Sequence, residues 1–86
     1  MPSETPTHPI IVEYCTDDLH QGAFLWCNGC EPEVTAAGMN RVHFRFANAE
    51  AQSLASEYIS GRASVEPLRF SAAIRALKER AREALR

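Results

Sequence analysis

The 86-residue chain predicts a small single α+β domain of order β-α-β-β-α-α, in which a mixed or antiparallel sheet has helices packed on one face. Two observations carry this prediction. Hydrophobic and polar side chains alternate strictly in residues 41–46, as in a strand with one buried face. In residues 67–85 apolar side chains recur every three or four positions, as in a helix. We assign residues 10–86 to the domain and predict that residues 1–9, which contain three prolines, form a disordered lead-in.

The first part of the domain is predicted to be a strand followed by a buried helix. Ile10–Tyr14 is rich in β-branched and aromatic residues, as strands are. Residues 16–18 supply side-chain oxygens of the kind that cap a helix N-terminus. The helix is expected over residues 19–28, before Gly29, and its apolar character on nearly all sides is typical of a central helix. Its core-facing stripe is predicted to be Leu19, Ala23, Trp26 and Cys27, with Phe24 and Leu25 off that stripe.

A β-hairpin is predicted next. Residues 33–37 are a weak strand candidate, and the Gly-Met-Asn sequence at 38–40 has turn chemistry. The segment Arg41–Phe46 alternates strictly, which indicates a strand with one buried face and one cationic face. The buried face is predicted to be Val42, Phe44 and Phe46, and the cationic face Arg41, His43 and Arg45.

Two helices complete the predicted domain. Asn48 is the expected N-cap of a helix over residues 49–60, which Gly61 would end. After a short linker, Pro67 is placed as prolines are near a helix N-terminus, and the last helix is expected to run to about Leu85. The predicted core-facing stripes are Ala51, Leu54, Ala55 and Tyr58 on the first of these helices, and Phe70, Ile74, Leu77, Ala81 and Leu85 on the second.

The composition excludes several classes of protein. With 45% hydrophobic and 23% charged residues, the chain is typical of a globular domain. No apolar run approaches the roughly 18 residues of a membrane span, and residues 1–9 lack the basic and apolar regions of a secretory signal. Three cysteines, an odd number, fit poorly with a secreted disulfide framework. We therefore expect a cytoplasmic protein.

Charge is divided between the two halves of the chain. Residues 1–40 contain six acidic residues and no Lys or Arg, whereas all nine basic residues lie at Arg41 or beyond. Partners respond to local fields more than to the net charge of −2. This division predicts a charge-segregated surface suited to docking a protein partner or a second copy of the chain.

Several short segments fit a set of motifs: a threonine-aspartate-leucine helix start, an alternating Phe-x-Phe strand and a proline-opened last helix before a Leu-Lys pair, here at 77–78. The segments are Tyr14–Leu19, Ala23–Leu25, His43–Phe46, Tyr58–Gly61 and Val65–Phe70. Together they resemble domain-of-unknown-function family 5659, a family of short prokaryotic proteins, over most of residues 12–80. The resemblance implies a small α+β domain found in bacteria and mobile elements. It implies no chemistry and does not extend to the cysteines.

The last predicted helix carries a cationic flank, with basic residues at positions i, i+3, i+7 and i+11 and with Arg69 and Arg80 on its other side. Together with Arg41 and Arg45, this flank predicts a phosphate-tracking surface for DNA or RNA. The alternative is a solvated or protein-facing helix, because two glutamates of the same helix neutralise part of the charge and no aromatic residue interleaves to stack a base. We call this flank the basic arc; it consists of Arg75, Lys78, Arg82 and Arg86.

The sequence Cys27-Asn28-Gly29-Cys30 raises two further hypotheses. A redox dithiol is disfavoured because the pair lies at the predicted end of a helix, where the dipole does not lower a thiol pKa. Half of a structural zinc site fits better, and Cys15 with His43 or His20 would complete it. The alternative is that Cys27 is a small buried hydrophobic residue.

Catalysis has the least support in the sequence. Asp17, Asp18 and His20 bring together two carboxylates and an imidazole, but helix capping accounts for the acids. We therefore expect no enzyme and no cofactor, and we rank three functions. The first is a small non-enzymatic interaction module, the second a nucleic-acid-binding accessory protein, and the third a zinc-stabilised domain.

Overall fold

The structure is a computed structural model that describes residues 13–86. Along the chain it contains three strands and three helices: β1 (Tyr14–Thr16), α1 (Leu19–Cys27), β2 (Glu33–Gly38), β3 (Arg41–Phe46), α2 (Ala51–Ile59) and α3 (Pro67–Ala84). The predicted order β-α-β-β-α-α and the α+β class are confirmed. The lead-in predicted for residues 1–9, and most of the strand predicted over Ile10–Tyr14, lie outside the described residues.

The three strands form an antiparallel sheet in the order β1-β3-β2. Tyr14 lies opposite Phe46, so β1 begins where the predicted first strand was expected to end. A two-residue loop joins β2 to β3, and its second residue, Asn40, has a φ of 61°. Asparagine tolerates this left-handed conformation better than most residues, which explains its position in the turn. In the strand order β1-β3-β2, β3 is the central strand and β2 forms one border of the sheet.

One face of β3 carries the core. Phe44 and Phe46 are buried and Val42 is half-buried, while the alternating basic side chains are exposed on the other face, as predicted. The helices pack on the buried face: α1 contacts β1, α2 and α3, and α3 also contacts β2. The helical layer is thus ordered α2-α1-α3, with α1 in the middle and α3 above the border strand.

Helix α1 begins at the predicted cap, because the Asp18 carboxylate accepts hydrogen bonds from the backbone N–H groups of His20 and Gln21. The stripe predicted for this helix was wrong in part. Phe24 and Leu25 are fully buried, whereas Trp26 and Cys27 are only half-buried. A helix enclosed by a sheet and two other helices buries more than one stripe, so a single-stripe pattern does not describe it.

The middle of α1 approaches its neighbours closely at Gly22. A Cβ at this position would lie 3.2 Å from Leu77 Cδ1 and 3.4 Å from Phe44 Cδ2. Gly22 therefore lets α1 pack against α3 and β3 at once.

Helices α1 and α2 end in the same way. At the end of α1 the N–H of Gly29 donates to the carbonyl of Trp26, and the N–H of Cys30 donates to that of Leu25. Gly61 and Arg62 make the equivalent bonds at the end of α2. Both glycines have positive φ values, 93° and 82°, as this Schellman arrangement requires. The two glycine stops predicted from the sequence are confirmed.

The start of α2 differs from the prediction. The helix begins at Ala51, and its N-cap residue, Glu50, makes no capping bond with its side chain. Asn48 contributes only its backbone carbonyl, which accepts from the N–H of Ala51. The predicted apolar side is confirmed, since Ala51 and Ala55 are buried and Leu54 and Tyr58 are half-buried.

Helix α3 has the predicted proline at its first position, and the Glu66 carboxylate caps it by accepting from the N–H groups of Leu68 and Arg69. Leu77 is fully buried, and Phe70 and Ile74 are half-buried against the core, as predicted. Leu85 was expected to continue this stripe but is 39% exposed. It is the C-cap residue, beyond the last helical turn, and lines an open concavity at the end of β2.

The buried part of α3 should dominate the stability of the domain. We expect Leu77→Ala to lower the free energy of unfolding by about 2–5 kcal/mol, because the change leaves a cavity between α1, α3 and β3. Leu68→Ala is the matched control: the same change on the same helix, at a side chain that is 79% exposed. It should cost less than about 0.5 kcal/mol. Urea unfolding followed by circular dichroism measures both, and equal losses would contradict this account of the core.

Candidate interaction surface

The cationic residues singled out in the sequence lie on two separate surfaces. Arg41 and Arg45 project from the open face of the sheet, opposite the helices. The basic arc lies on α3, within the helical layer. The structure therefore does not combine them into the single phosphate-tracking surface that the sequence suggested.

The cations of the open sheet face are paired with acids. Arg45 lies in the row Cys15–Arg45–Glu33 across the three strands and forms ion pairs with Glu33 and, at 3.7 Å, with Glu13. Glu33 raises the pKa of the Arg45 guanidinium through a hydrogen bond and its negative charge. Arg41 pairs with Asp17 at 3.8 Å. Each of these surface ion pairs contributes little to the free energy of unfolding, but together they neutralise the cationic face of the strand.

Every described acid of the first half has an intramolecular role. Four of these acids are in ion pairs with basic residues from the second half, and Asp18 caps α1. The fold thus brings the acidic and basic halves together, and the separation seen along the chain is largely lost in space. The four ion-paired acids are Glu13, Asp17, Glu31 and Glu33.

The basic arc keeps its charge. All four of its side chains are exposed. Arg82 pairs with Glu79 of the same helix at 2.6 Å, but Arg75, Lys78 and Arg86 have no ion-pair partner among residues 13–86. Arg75, Lys78 and Arg82 span seven positions of α3, or about 10 Å, and Arg86 lies just beyond the C-cap of the helix.

The arc faces away from the rest of the helical layer. The side of α3 that faces α1 is marked by Arg80, whose guanidinium lies 5.0 Å from the centre of the Trp26 ring. Lys78 and Arg82 are each two positions from Arg80, which is a rotation of about 200° around the helix axis, so both lie on the opposite side of α3. Since α3 is the outermost helix and lies above β2, the arc overhangs the border of the sheet.

Arg80 is a structural residue that sequence reasoning grouped with the surface cations. Besides stacking on Trp26, it pairs with Glu31 at 3.5 Å and approaches the carbonyl of Pro32. Arg80 thereby links α3 to the end of α1 and to the loop that leads into β2. The signal in the sequence is its separation from the arc, since position 80 falls on the opposite side of the helix.

Of the residues proposed for a zinc site, the structure brings together only Cys15 and His43, which line one concavity on the open face of the sheet. Cys30 is 1% exposed within the core, whereas Cys15 and His43 are exposed on the opposite face of the sheet. Across the described part of the chain, no three His, Cys, Asp or Glu side chains cluster as metal ligands do. The Cys27–Cys30 spacing instead reflects the Schellman turn, in which a residue like Cys30 packs against the helix it follows.

The thiols also lack the environment of a redox pair. Burial raises the pKa of Cys27, and the nearby Arg69 opposes this only in part. Burial raises the pKa of Cys30 as well. Both shifts disfavour the thiolate, which is the reactive form.

The three residues considered for catalysis, Asp17, Asp18 and His20, have separate roles in the structure. Asp18 caps α1, Asp17 pairs with Arg41, and the exposed His20 ring lies 6.3 Å from that of Phe70. The structure thus gives each acid a structural partner.

A shallow concavity of about 380 Å³ lies between the end of β2 and the end of α3. Two of its hydrophobic side chains are open to solvent, Met39 at 90% and Leu85 at 39% exposure. Arg86, the last member of the basic arc, lines the same concavity, so apolar and cationic groups meet there. The remaining lining residues are Ala36, Gly38, Asn40 and Ala84.

The chain matches no protein-family model, no curated protein and no solved structure. The resemblance to domain-of-unknown-function family 5659 therefore stays an expectation from the sequence. Among residues 13–86, no helix has the length and hydrophobicity that crossing a membrane requires.

Thiol labelling should distinguish the three cysteines. We expect iodoacetamide to modify Cys15 first, Cys27 more slowly and Cys30 only on unfolding, because burial limits access and raises the pKa of the latter two. Peptide mass mapping over time measures the order. If Cys15, Cys27 and Cys30 were protected together and were exposed together by a chelator, a shared zinc ion would be indicated instead.

Removal of Arg80 should weaken the packing of α3. Arg80→Ala is expected to lower the free energy of unfolding by about 1 kcal/mol, because it removes the stacking on Trp26 and the ion pair with Glu31. Arg82→Ala is the control, since among residues 13–86 it pairs only with Glu79 one turn away, and it should cost less than about 0.5 kcal/mol. Urea unfolding of both variants measures the difference; equal values would mean that Arg80 is only a surface charge.

Proposed function

We propose that this protein is a small non-enzymatic interaction module that binds an acidic surface of a protein partner through the basic arc of α3. One observation carries this proposal. The arc places three exposed cations along about 10 Å of one flank of α3 and a fourth just beyond the end of the helix, and three of the four have no ionic partner within the described residues. Such a field attracts and orients an acidic partner.

Exposed apolar side chains next to the arc favour a protein partner over a nucleic acid. Leu68 and Leu85, near the two ends of α3, are 79% and 39% exposed, and Met39 lies beside the latter. Protein interfaces combine apolar contacts with arginine, and they deplete lysine and acidic residues at their centre. The flank of α3 offers this combination.

The partner we propose is a different protein rather than a second copy of the chain. Head-to-tail self-association requires an acidic surface as well as a basic one. The acids of the first half that lie within residues 13–40 are engaged in the fold, by four ion pairs and one helix cap, so they offer the arc of another copy little field.

A nucleic acid is the second candidate, favoured by the same exposed arc. Its surface is smaller than the sequence suggested, because Arg41 and Arg45 lie on the other side of the sheet and are ion-paired. With only the four arc residues neutralising phosphates, the slope of log K against log salt would be about −3 to −4.

We place the protein in the cytoplasm. The support is that all three cysteines are free thiols, including the exposed Cys15, which is typical of a reducing compartment. A non-catalytic role is supported by the structural partners of Asp17 and Asp18.

The arc can be tested by charge reversal. The double variant Arg75→Glu/Lys78→Glu should lose at least about tenfold in capture of its partner from a nuclease-treated extract of the native host, because attraction becomes repulsion. Both side chains are exposed, so the free energy of unfolding should change by less than about 0.5 kcal/mol per site. Quantitative mass spectrometry of the captured proteins measures the loss.

The control on the open face of the sheet is Arg41→Ala/Arg45→Ala, which removes two cations there, and Arg75→Ala/Lys78→Ala is the arc variant with the same change of charge. Capture by the control should equal that of the wild type, whereas capture by the arc variant should be weaker. If the arc variant captures the same proteins as the wild type, the arc is a solvated surface. If only duplex DNA or RNA binds at low salt, and the arc variant abolishes that binding, the second candidate replaces the first.

A further inference from the structure

Apart from Glu33 and a bulge near its end, the border strand β2 lacks the features that usually keep a sheet edge from pairing. Edge strands are commonly blocked by lysine, proline or a covering element. From Glu33 to Gly38 the strand contains neither lysine nor proline, and its middle consists of the small residues Thr35, Ala36 and Ala37, all exposed. A bulge between Ala36 and Gly38 leaves Glu33–Ala36 as the regular part of the edge.

The backbone groups of this edge have no second partner in the described structure. Strand β2 pairs only with β3, and no other backbone hydrogen bond found within residues 13–86 involves positions 33–38. In an antiparallel strand, alternate residues direct their N–H and C=O groups to opposite sides. Half of the groups of Glu33–Ala36 therefore face away from the sheet.

The surroundings of this edge have a definite chemistry. The basic arc of α3 overhangs the same border, and the concavity at the end of β2 is lined by Ala36, Leu85 and Arg86. A strand added beside β2 would lie beneath Lys78 and Arg82, and one of its side chains would reach the concavity. An extended segment in which acidic and apolar residues alternate matches the unpaired edge, the basic arc and the partly apolar concavity.

From this arrangement we infer that the partner contributes an extended acidic segment that adds to the free edge of β2 as a fourth strand, beneath the basic arc. The inference rests on the proposed function of the arc and specifies how the partner binds. The backbone of the segment pairs with β2, its acidic side chains meet the arc, and an apolar side chain enters the concavity beside Met39 and Leu85.

A second copy of the chain fits this edge poorly. Symmetrical pairing of two β2 strands would bring the two α3 flanks to the same junction, each presenting Lys78 and Arg82. Like charges in that position repel. The bulge at the end of β2 also shortens the length available for symmetrical pairing.

The probe for this inference is a blocked heptapeptide in which glutamate and valine alternate. We expect it to bind the full chain, as measured by isothermal titration calorimetry, and to slow amide exchange at the positions of residues 33–36 that face away from β3. Replacing its glutamates by lysines should weaken binding at least about tenfold, because the arc then repels the peptide. The double variant Lys78→Glu/Arg82→Glu should weaken binding of the acidic peptide to the same extent, whereas Arg41→Ala/Arg45→Ala should not.

The decisive control is the same acidic peptide with an N-methyl group on every backbone nitrogen, which removes the donors from both of its edges. It keeps its charge but cannot pair with a strand, so its affinity should fall at least about tenfold. If the methylated peptide binds as tightly as the parent, and exchange at β2 does not change, edge pairing is overturned while the role of the arc stands. If neither acidic peptide binds and the arc variants do not affect partner capture, the proposed function itself fails.

The protein without peptide supplies one further outcome. The amides of residues 33–36 that face away from β3 should exchange rapidly, and the chain should sediment as a monomer. Slow exchange in a monomer would mean that another part of this chain covers the edge. Slow exchange in a dimer would mean that a second copy covers it. Either result overturns the inference.

Discussion

The close packing of α1 against Phe44 and Leu77 at Gly22 is the contact on which the rest of the architecture depends. It brings a helix with almost no polar surface onto the one apolar face of the sheet, and it places α3 immediately beside that helix. Helix α1 consequently takes the centre of the helical layer. Helix α3 is left at the border, where only its lower side is buried and its outer flank remains in solvent.

That position explains why two groups of arginines behave differently. Arginines of the second half that face the first half form ion pairs with its acids, as Arg41, Arg45 and Arg80 do. Arg75, Lys78 and Arg82, on the outer flank of α3, form no ion pair with any acid of the first half that the structure describes. The basic arc therefore keeps its charge because of where the helix lies, and the candidate interaction surface is a consequence of the packing order.

The Cys27–Cys30 segment shows how a motif can arise from backbone geometry. A helix that ends in a Schellman turn needs a residue free to adopt positive φ, here Gly29, followed by a residue that packs back on the helix. A cysteine suits that last position because it is small and apolar when buried. The cysteine spacing thus has a sufficient explanation in the folding of the chain.

The sequence by itself determined the secondary structure closely, because its signals are local. Alternation defined both faces of β3, Asp18 and Pro67 marked two helix starts, and glycines marked two helix ends. The stripe of α1 and the cap of α2 were predicted less well, since burial on several sides and backbone-only capping leave no periodic or side-chain signal.

Only the tertiary structure decided which charges remain free. Ion pairing depends on which segments meet in space, and nothing local to Arg45 or Arg80 indicates that Glu33 or Glu31 lies beside it. The same holds for the free edge of β2, because strand order follows from how the chain folds over itself rather than from the composition of any strand. The helix positions of the arc were thus readable from residue spacing, whereas its exposure followed from the place of α3 at the border of the fold.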